Sequence, residues 1–416
     1  MKTTTILTSV FALGSYFLNA QGITKEDIKK HITYLASDEL KGRGTSSPEE
    51  ELAAKYIARE FIWDKLAPRG NNNYFYEYKY KAPAGPHDTV GTGEEKKSKN
   101  VVAFLNNHAP ATIVIGAHYD HLGLGKDHNS LDANPEGKIH NGADDNASGT
   151  AGVIALAKYF ATNGKTEKYN FLFMCFSGEE LGLIGSKKWC ENPTMPLDSI
   201  NYMINMDMIG RLSDSANVLE GKTGKVVIYG VGTSPTWVPL IDKMKSPFSI
   251  KKDSSGIGPS DQTSFYLKNI PVLHFFTGQH SDYHKPSDDV EKINLEGEVK
   301  VLNYIIKLIE ETETMPKLTF SKTKAPDTKS TSFKVTMGVM PDYVFEGKGM
   351  RIDGVTDGKP GSKAGIKQGD VVIKLGDDMV DSVQTYMKAL SKFKKGDTTK
   401  VKVQRGKEEL EMSVTF

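Results

Sequence analysis

The sequence predicts an α/β fold, a mostly parallel sheet covered by helices on both faces, followed by a small β-rich domain. Three observations predict it. Short continuous apolar runs recur from residue 100 onward, NVVAFL, TIVIGA, NFLFMCF, INYMINM, VVIYG and IPVLHFF, and runs without polar alternation suit strands buried on both faces. Helical patterns such as AGVIALAKYF, Ala151 to Phe160, lie between several of them, as in a parallel sheet built from βαβ units. The composition then changes. Residues 312–332 are polar, rich in Lys and Thr and broken by prolines, and the short strand patterns VVIKL, KVKVQ and ELEMSVTF follow.

The expected organisation is a signal peptide over residues 1–20, a large α/β domain over 21–318, a linker over 319–332 and a β-rich domain over 333–416. Lys2, the uncharged stretch Ile6 to Leu18 and the small residue Ala20 have the layout of an export signal. The apolar stretch falls short of the ~20 residues that a membrane span needs, so no membrane anchor is expected and the product is placed in the periplasm or the medium. Ser47, Pro48 and three glutamates mark a helix start, and Leu52, Ala53, Tyr56 and Ile57 continue it at helical spacing. Tyr74, Tyr76, Tyr78 and Tyr80 alternate as one face of a strand. With 53 Lys+Arg against 52 Asp+Glu over 416 residues, no basic footprint for nucleic acid is visible. Two cysteines, Cys175 and Cys190, are too few for a disulfide framework.

The chemistry-bearing residues share a position. TIVIGA is followed by HYDHLG, NFLFMCF by SGEELG, INYMINM by DMIGR, and IPVLHFF by TGQHSDYHKPSDD. The carboxyl ends of parallel strands form the crevice in which α/β sheets bind ligands. Imidazoles and carboxylates without cysteine among them suit a catalytic zinc-type site better than a closed structural one. A further stretch, GADDNASG from Gly142 to Gly149, sets two aspartates among the smallest residues, as a carboxylate shared by two close cations requires. Singly each motif has an ordinary explanation: His118 as a core histidine, Glu179 and Glu180 as helix-capping acids, Asp207 as a cap, HKPSDD as a turn.

HYDHLG, GADDNASG, SGEELGLIGS, NMDMIG and SDYHKPSDD, in this order and spacing, resemble the co-catalytic di-zinc exopeptidase family, which includes secreted bacterial aminopeptidases and glutamate-carboxypeptidase-like enzymes. The likeness spans roughly residues 25 to 315. It implies two Zn²⁺ ions, one held by His118 and Asp207, the other by Glu180 and His284, with Asp145 between them and a cis bond after Asp145. It implies Glu179 as general base and Asp120 as the acceptor of the second ring N–H of His118. Asp261 matches a position near the substrate pocket, followed by Gln262 where relatives often carry His. No role follows for His121, His128, His140, His274 or His280. The C-terminal stretch with GSKAGIKQGDVVIKLGD resembles a PDZ domain of bacterial protease type, with Met337 to Met340 at the carboxylate-binding loop; Gly338 and Val339 would hold a C-terminal peptide there. The expected function is a zinc aminopeptidase acting on peptides. A carboxypeptidase or glutaminyl cyclase on the same fold, and an inactive PDZ binding protein, are the alternatives.

Overall fold

A computed structural model describes residues 22–82, 93–127, 129–213, 216–217, 222–323, 335–341, 345, 347–355 and 358–416. The expected signal peptide, residue His128 and most of the linker lie outside the described residues.

The α/β domain is built on a nine-stranded sheet. Its strands are β1 (Ala67–Pro68), β2 (Phe75–Lys81), β3 (Glu95–Leu105), β4 (Thr112–His118), β5 (Asn170–Phe176), β6 (Ile200–Met206), β7 (Lys225–Tyr229), β8 (Ser249–Lys252) and β9 (Val272–Phe276). The order is β1-β3-β5-β4-β6-β9-β7-β8, with β2 on β3. All six apolar runs are strands. The centre, β5-β4-β6-β9, is parallel, whereas β3 runs antiparallel to β5 and β7 antiparallel to β9. An apolar run fixes burial on both faces but not direction, so the mixed edges were not legible.

Alternate residues of each strand face opposite layers. Ile113, Ile115, Phe171 and Phe173 pack with α1 (Lys25–Leu35), α2 (Pro48–Trp63), α3 (Gly149–Thr162), α5 (Trp237–Lys243) and α7 (Leu295–Thr312). Val114, Leu172 and Met174 pack on the other side with Trp189 of α4 (Ile184–Glu191), Phe265 of α6 (Gln262–Tyr266) and the tyrosine face of β2. Ser47 caps α2 by accepting the Glu50 N–H at 3.0 Å. Ala53, Tyr56 and Ile57 are buried as expected, but Leu52 faces solvent. Tyr76, Tyr78 and Tyr80 are buried with their hydroxyls bonded to Lys188 O, Ser177 O and Ser46 Oγ. Cys175 and Cys190 are free thiols, buried in different clusters.

The start of the expected linker belongs to this domain. Ser321 N donates to Thr233 O, and Thr323 N donates to the Tyr266 hydroxyl, so the body extends to Thr323 rather than to 318. The C-terminal domain is an antiparallel sheet of six strands around its own core of Met337, Ile352, Val372 and Val403, with a short helix, Pro360–Lys363, and a longer one, Val383–Leu390, among the described residues. VVIKL, KVKVQ and ELEMSVTF all lie in its strands. Gly338 has φ 69°, and its N–H is donated to Thr336 Oγ1 at 3.0 Å.

No described helix is long and apolar enough to cross a membrane.

Candidate metal centre

The six acidic and imidazole side chains singled out past the strand ends and in the GADDNASG turn meet in one cleft. His118 ends β4, Asp207 directly follows β6, Glu179 and Glu180 lie just past β5, and His284 lies past β9. Asp145 comes from the turn before α3, where its bond to Asn146 is cis.

The geometry puts Asp145 between two imidazoles. Its Oδ1 is 3.4 Å from His118 Nε2, and its Oδ2 is 3.2 Å from His284 Nε2. His118 Nε2 is also 3.4 Å from Asp207 Oδ1, and His284 Nε2 is 3.2 Å from Glu180 Oε2. Four zinc–ligand bonds of 2.0–2.1 Å in a tetrahedron give ligand–ligand edges of about 3.3 Å. Both triads therefore have the donor chemistry for zinc, and among the described residues the ligand atoms of His118, Asp145 and Asp207 lie within 4.8 Å of one another, as do those of His121, Asp145 and Glu180. Glu179 belongs to neither; its Oε2 stands 4.0 Å from His118 Nε2.

Charge supports the same reading. Burial, then Glu180, pushes the Asp145 carboxyl up to about 7. Burial also drives Glu179 well above the ordinary carboxylate range, with His118 opposing it and Glu180 and Asp207 adding to it. Against burial, His284 holds Glu180 well below the ordinary carboxylate range and His118 holds Asp207 below it, so Asp145 and Glu179 carry the excess of acid that a bound cation would neutralise.

Each imidazole is aimed by a main-chain carbonyl. His284 Nδ1 donates to Asn129 O at 2.8 Å. His118 Nδ1 is 3.2 Å from Asp120 O, whereas the Asp120 carboxylate stands 3.8 Å away. This corrects the expected role of Asp120: its carboxylate is occupied by Thr45 Oγ1 at 2.7 Å and by Glu179 N at 3.2 Å. Asp120 thus fixes His118 through its backbone and the Glu179 loop through its side chain.

The paired aspartates divide their work. Asp145 faces the cleft. Asp144 turns away, accepting Gly210 N at 2.7 Å and Ser148 Oγ at 3.1 Å, with His280 Nε2 3.2 Å from its other oxygen. Asp288 accepts the main-chain N–H of both Asp144 and Asp145 at 3.0 Å. Small neighbours are explained in part by close backbone contact: a Cβ on Gly149 would stand 2.5 Å from Met206 O.

Sequence reasoning missed four contributors. Asp288 lies inside the quoted SDYHKPSDD, and that placement was its only signal. Arg43 is fully buried, yet its guanidinium donates to Leu35 O, Tyr119 O, Asn141 O and Gly142 O, tying α1 to both metal-facing loops. His280 backs Asp144. His121 lies against Glu180 with Nδ1 2.8 Å from Oε1. Of the other unassigned histidines, His274 lines the cleft and is kept neutral, its pKa lowered to about 4 by burial. His140 Nε2 meets Ser130 Oγ. Asp261 is fully buried behind the cleft, its carboxyl pushed up to about 7 chiefly by burial. Tyr283 lines the cleft and stacks on His284 with ring centroids 3.9 Å apart.

Fold and site together define the zinc-exopeptidase class. Residues 100–309 match peptidase family M28, and residues 325–416 match the PDZ domain; the chain belongs to peptidase family M28 and carries a C-terminal PDZ domain. Leucine aminopeptidase 2 of Arthroderma otae is 27% identical over 195 residues, 45% of this chain and 38% of that protein. The chain spans less than half the length of the curated relatives it matches first. The LapA aminopeptidase of Legionella pneumophila superposes with a TM-score of 0.52 at 18% identity, covering 74% of this chain and 78% of that one. A glutaminyl cyclase of Bacteroides thetaiotaomicron superposes with a TM-score of 0.52 at 15% identity, covering 70% and 98%. These structures share the fold; the fold alone does not choose the reaction.

Proposed function

We propose that the protein is a two-zinc aminopeptidase that removes N-terminal residues from peptides outside the cytoplasm. The observation that carries it is Asp145, with one oxygen toward each of two imidazole–carboxylate pairs. His118 and Asp207 would hold one zinc, Glu180 and His284 the other. Bound zinc supplies Lewis-acid polarisation of the scissile carbonyl and lowers the pKa of water. Glu179 is the general base: its carboxylate takes a proton from the attacking water and returns it to the leaving amine nitrogen. The bond between its N–H and Asp120 Oδ1 holds the loop that presents it. Burial drives the Tyr283 phenol well above its ordinary pKa, so it stays a hydrogen-bond donor in the cleft.

The choice of chain end rests on charge. No described Lys or Arg lines the cleft, and those are the groups that would seat a C-terminal carboxylate. A carboxylate-rich cleft favours a terminal ammonium. Beyond the acids its wall includes Met208, Phe276 and Tyr229, which favours apolar N-terminal side chains. The export-type leader of residues 1–20 supports an extracytoplasmic setting, and the PDZ domain supports capture of peptide termini, with Gly338 and Val339 at the binding loop.

A mass-spectrometric time course with zinc tests the reaction, using peptides in free and N-acetylated forms. Stepwise N-terminal shortening of the free forms alone is expected. C-terminal trimming, or loss of ammonia from N-terminal Gln, would replace it with the carboxypeptidase or cyclase reading.

A further inference from the structure

Among the described residues, His121 is the one imidazole in direct contact with the candidate ligands to which the two-zinc reading gives no task. Its side chain is wholly buried. The seat is shaped for it: a Cβ on Gly142 would meet the ring at 2.4 Å from Cδ2 and 2.6 Å from Cγ. The His121 main-chain N–H donates to Arg43 O, the carbonyl of the buried arginine that also binds Gly142 O. The ring is therefore held between Gly142 and Glu180 by backbone on one side and a carboxylate on the other. An ionised carboxylate only accepts, so the 2.8 Å contact makes His121 Nδ1 the donor to Glu180 Oε1. The other oxygen of Glu180, Oε2, is the one 3.2 Å from His284 Nε2.

Direct metal ligation by His121 fits less well. Its Nδ1 lies 3.9 Å from Asp145 Oδ2, longer than the tetrahedral edge of about 3.3 Å, while 2.8 Å to Glu180 is shorter than that edge and is a hydrogen-bond length.

We propose that His121 is a positioning residue that ties up one oxygen of Glu180, so that Oε2 alone faces the cleft and the affinity of the Glu180–His284 zinc site is set by this bond. The inference rests on the two-zinc reading. Hydrogen-bonded partners of carboxylate and histidine ligands typically carry 10–100-fold of metal affinity.

The test is calorimetric zinc titration of the metal-stripped full chain, alongside His121→Ala, His121→Asn and His121→Gln. Wild type is expected to take two zinc ions. His121→Ala should weaken one site about 10–100-fold and leave the other unchanged. His121→Asn, whose amide nitrogen can stand where Nδ1 stood, should stay within a few-fold of wild type, and His121→Gln should not. The Co²⁺ absorption spectrum should change in parallel, a readout independent of turnover. Should the alanine variant not fold, the Asn and Gln pair, which fill the seat, decides the question. Equal affinity for the second zinc in wild type and the variants would overturn the proposal while leaving the two-zinc reading intact. Loss in His121→Asn as large as in His121→Gln would make His121 a ligand and also overturn it. A wild type taking only one zinc would remove the two-zinc reading itself.

Discussion

The two ends of the metal centre use the same chemistry on different supports. At one end His118 and Asp207 stand at the ends of β4 and β6, which are hydrogen-bonded neighbours in the parallel centre of the sheet. At the other, His284 comes from a loop, has a positive φ of 54°, and is braced by a second loop through Asn129 O and Ser130 Oγ. Strand ends inherit the rigidity of the core, whereas loop-held groups open at lower free-energy cost. The proposed first zinc site is thus set by topology and the proposed second by local hydrogen bonds, with Asp145 standing between them.

The largest expected effect separates chemistry from both supports. Glu179→Gln leaves every proposed ligand in place, so zinc content should hold while kcat falls about 10²–10⁴-fold. Zinc analysis with peptide turnover measures both; full activity in the variant would remove Glu179 as base. Next in size, Asp288→Asn strikes the coupling itself. It weakens the acceptor of two main-chain N–H groups that aim Asp145, so affinity at both ends should fall about 10–100-fold. A loss confined to one zinc, read by titration, would mean that Asp145 is aimed independently of Asp288.

Progressive chelation sharpens the contrast. The Glu180–His284 zinc should leave first, with a dissociation constant at least about tenfold higher, a difference of 1.4 kcal/mol. Hydrogen exchange should then show slow amides in 112–118 and 200–206 and faster ones in 279–288. Simultaneous loss of both ions, with uniform protection, would erase the difference between the ends.

The same contrast explains what could be read from sequence. His118, Asp207, Glu179 and Glu180 follow apolar runs at once, so the pattern that predicts the strands also places these residues. Asp145 and His284 needed the family resemblance, because nothing in a loop sequence states where its backbone returns. Arg43, His121 and Asp288 act through carbonyls, main-chain N–H groups and a space left by Gly142, with hydrogen-bonded contacts between residues 59 to 144 apart that leave no periodic trace. Asp120 shows the same limit: the resemblance points to this residue beside His118, but whether its side chain or its carbonyl meets the ring depends on a backbone turn that sequence does not specify.

A last expected effect probes the wall behind the strand-held end. Glu50 is buried, accepting Ser46 N and Ser98 Oγ, with Ser177 Oγ on its other oxygen, immediately before the Gly178–Glu179 turn. Its carboxyl is pushed up from 4.5 to about 8, first by burial and then by Asp120. Between those values the folded chain holds a proton that the unfolded chain has released. Stability from this group is therefore complete below about pH 4.5 and is lost as pH rises through 8. Glu50→Gln cannot ionise, so relative to wild type it should gain stability from pH 5 to pH 8, by on the order of a few kcal/mol. Urea unfolding of both proteins at pH 5, 6.5 and 8, with zinc saturating, measures the change. A difference that does not vary with pH would mean that water reaches Glu50, and the strand-held end would then owe its rigidity to the ladder between β4 and β6 alone.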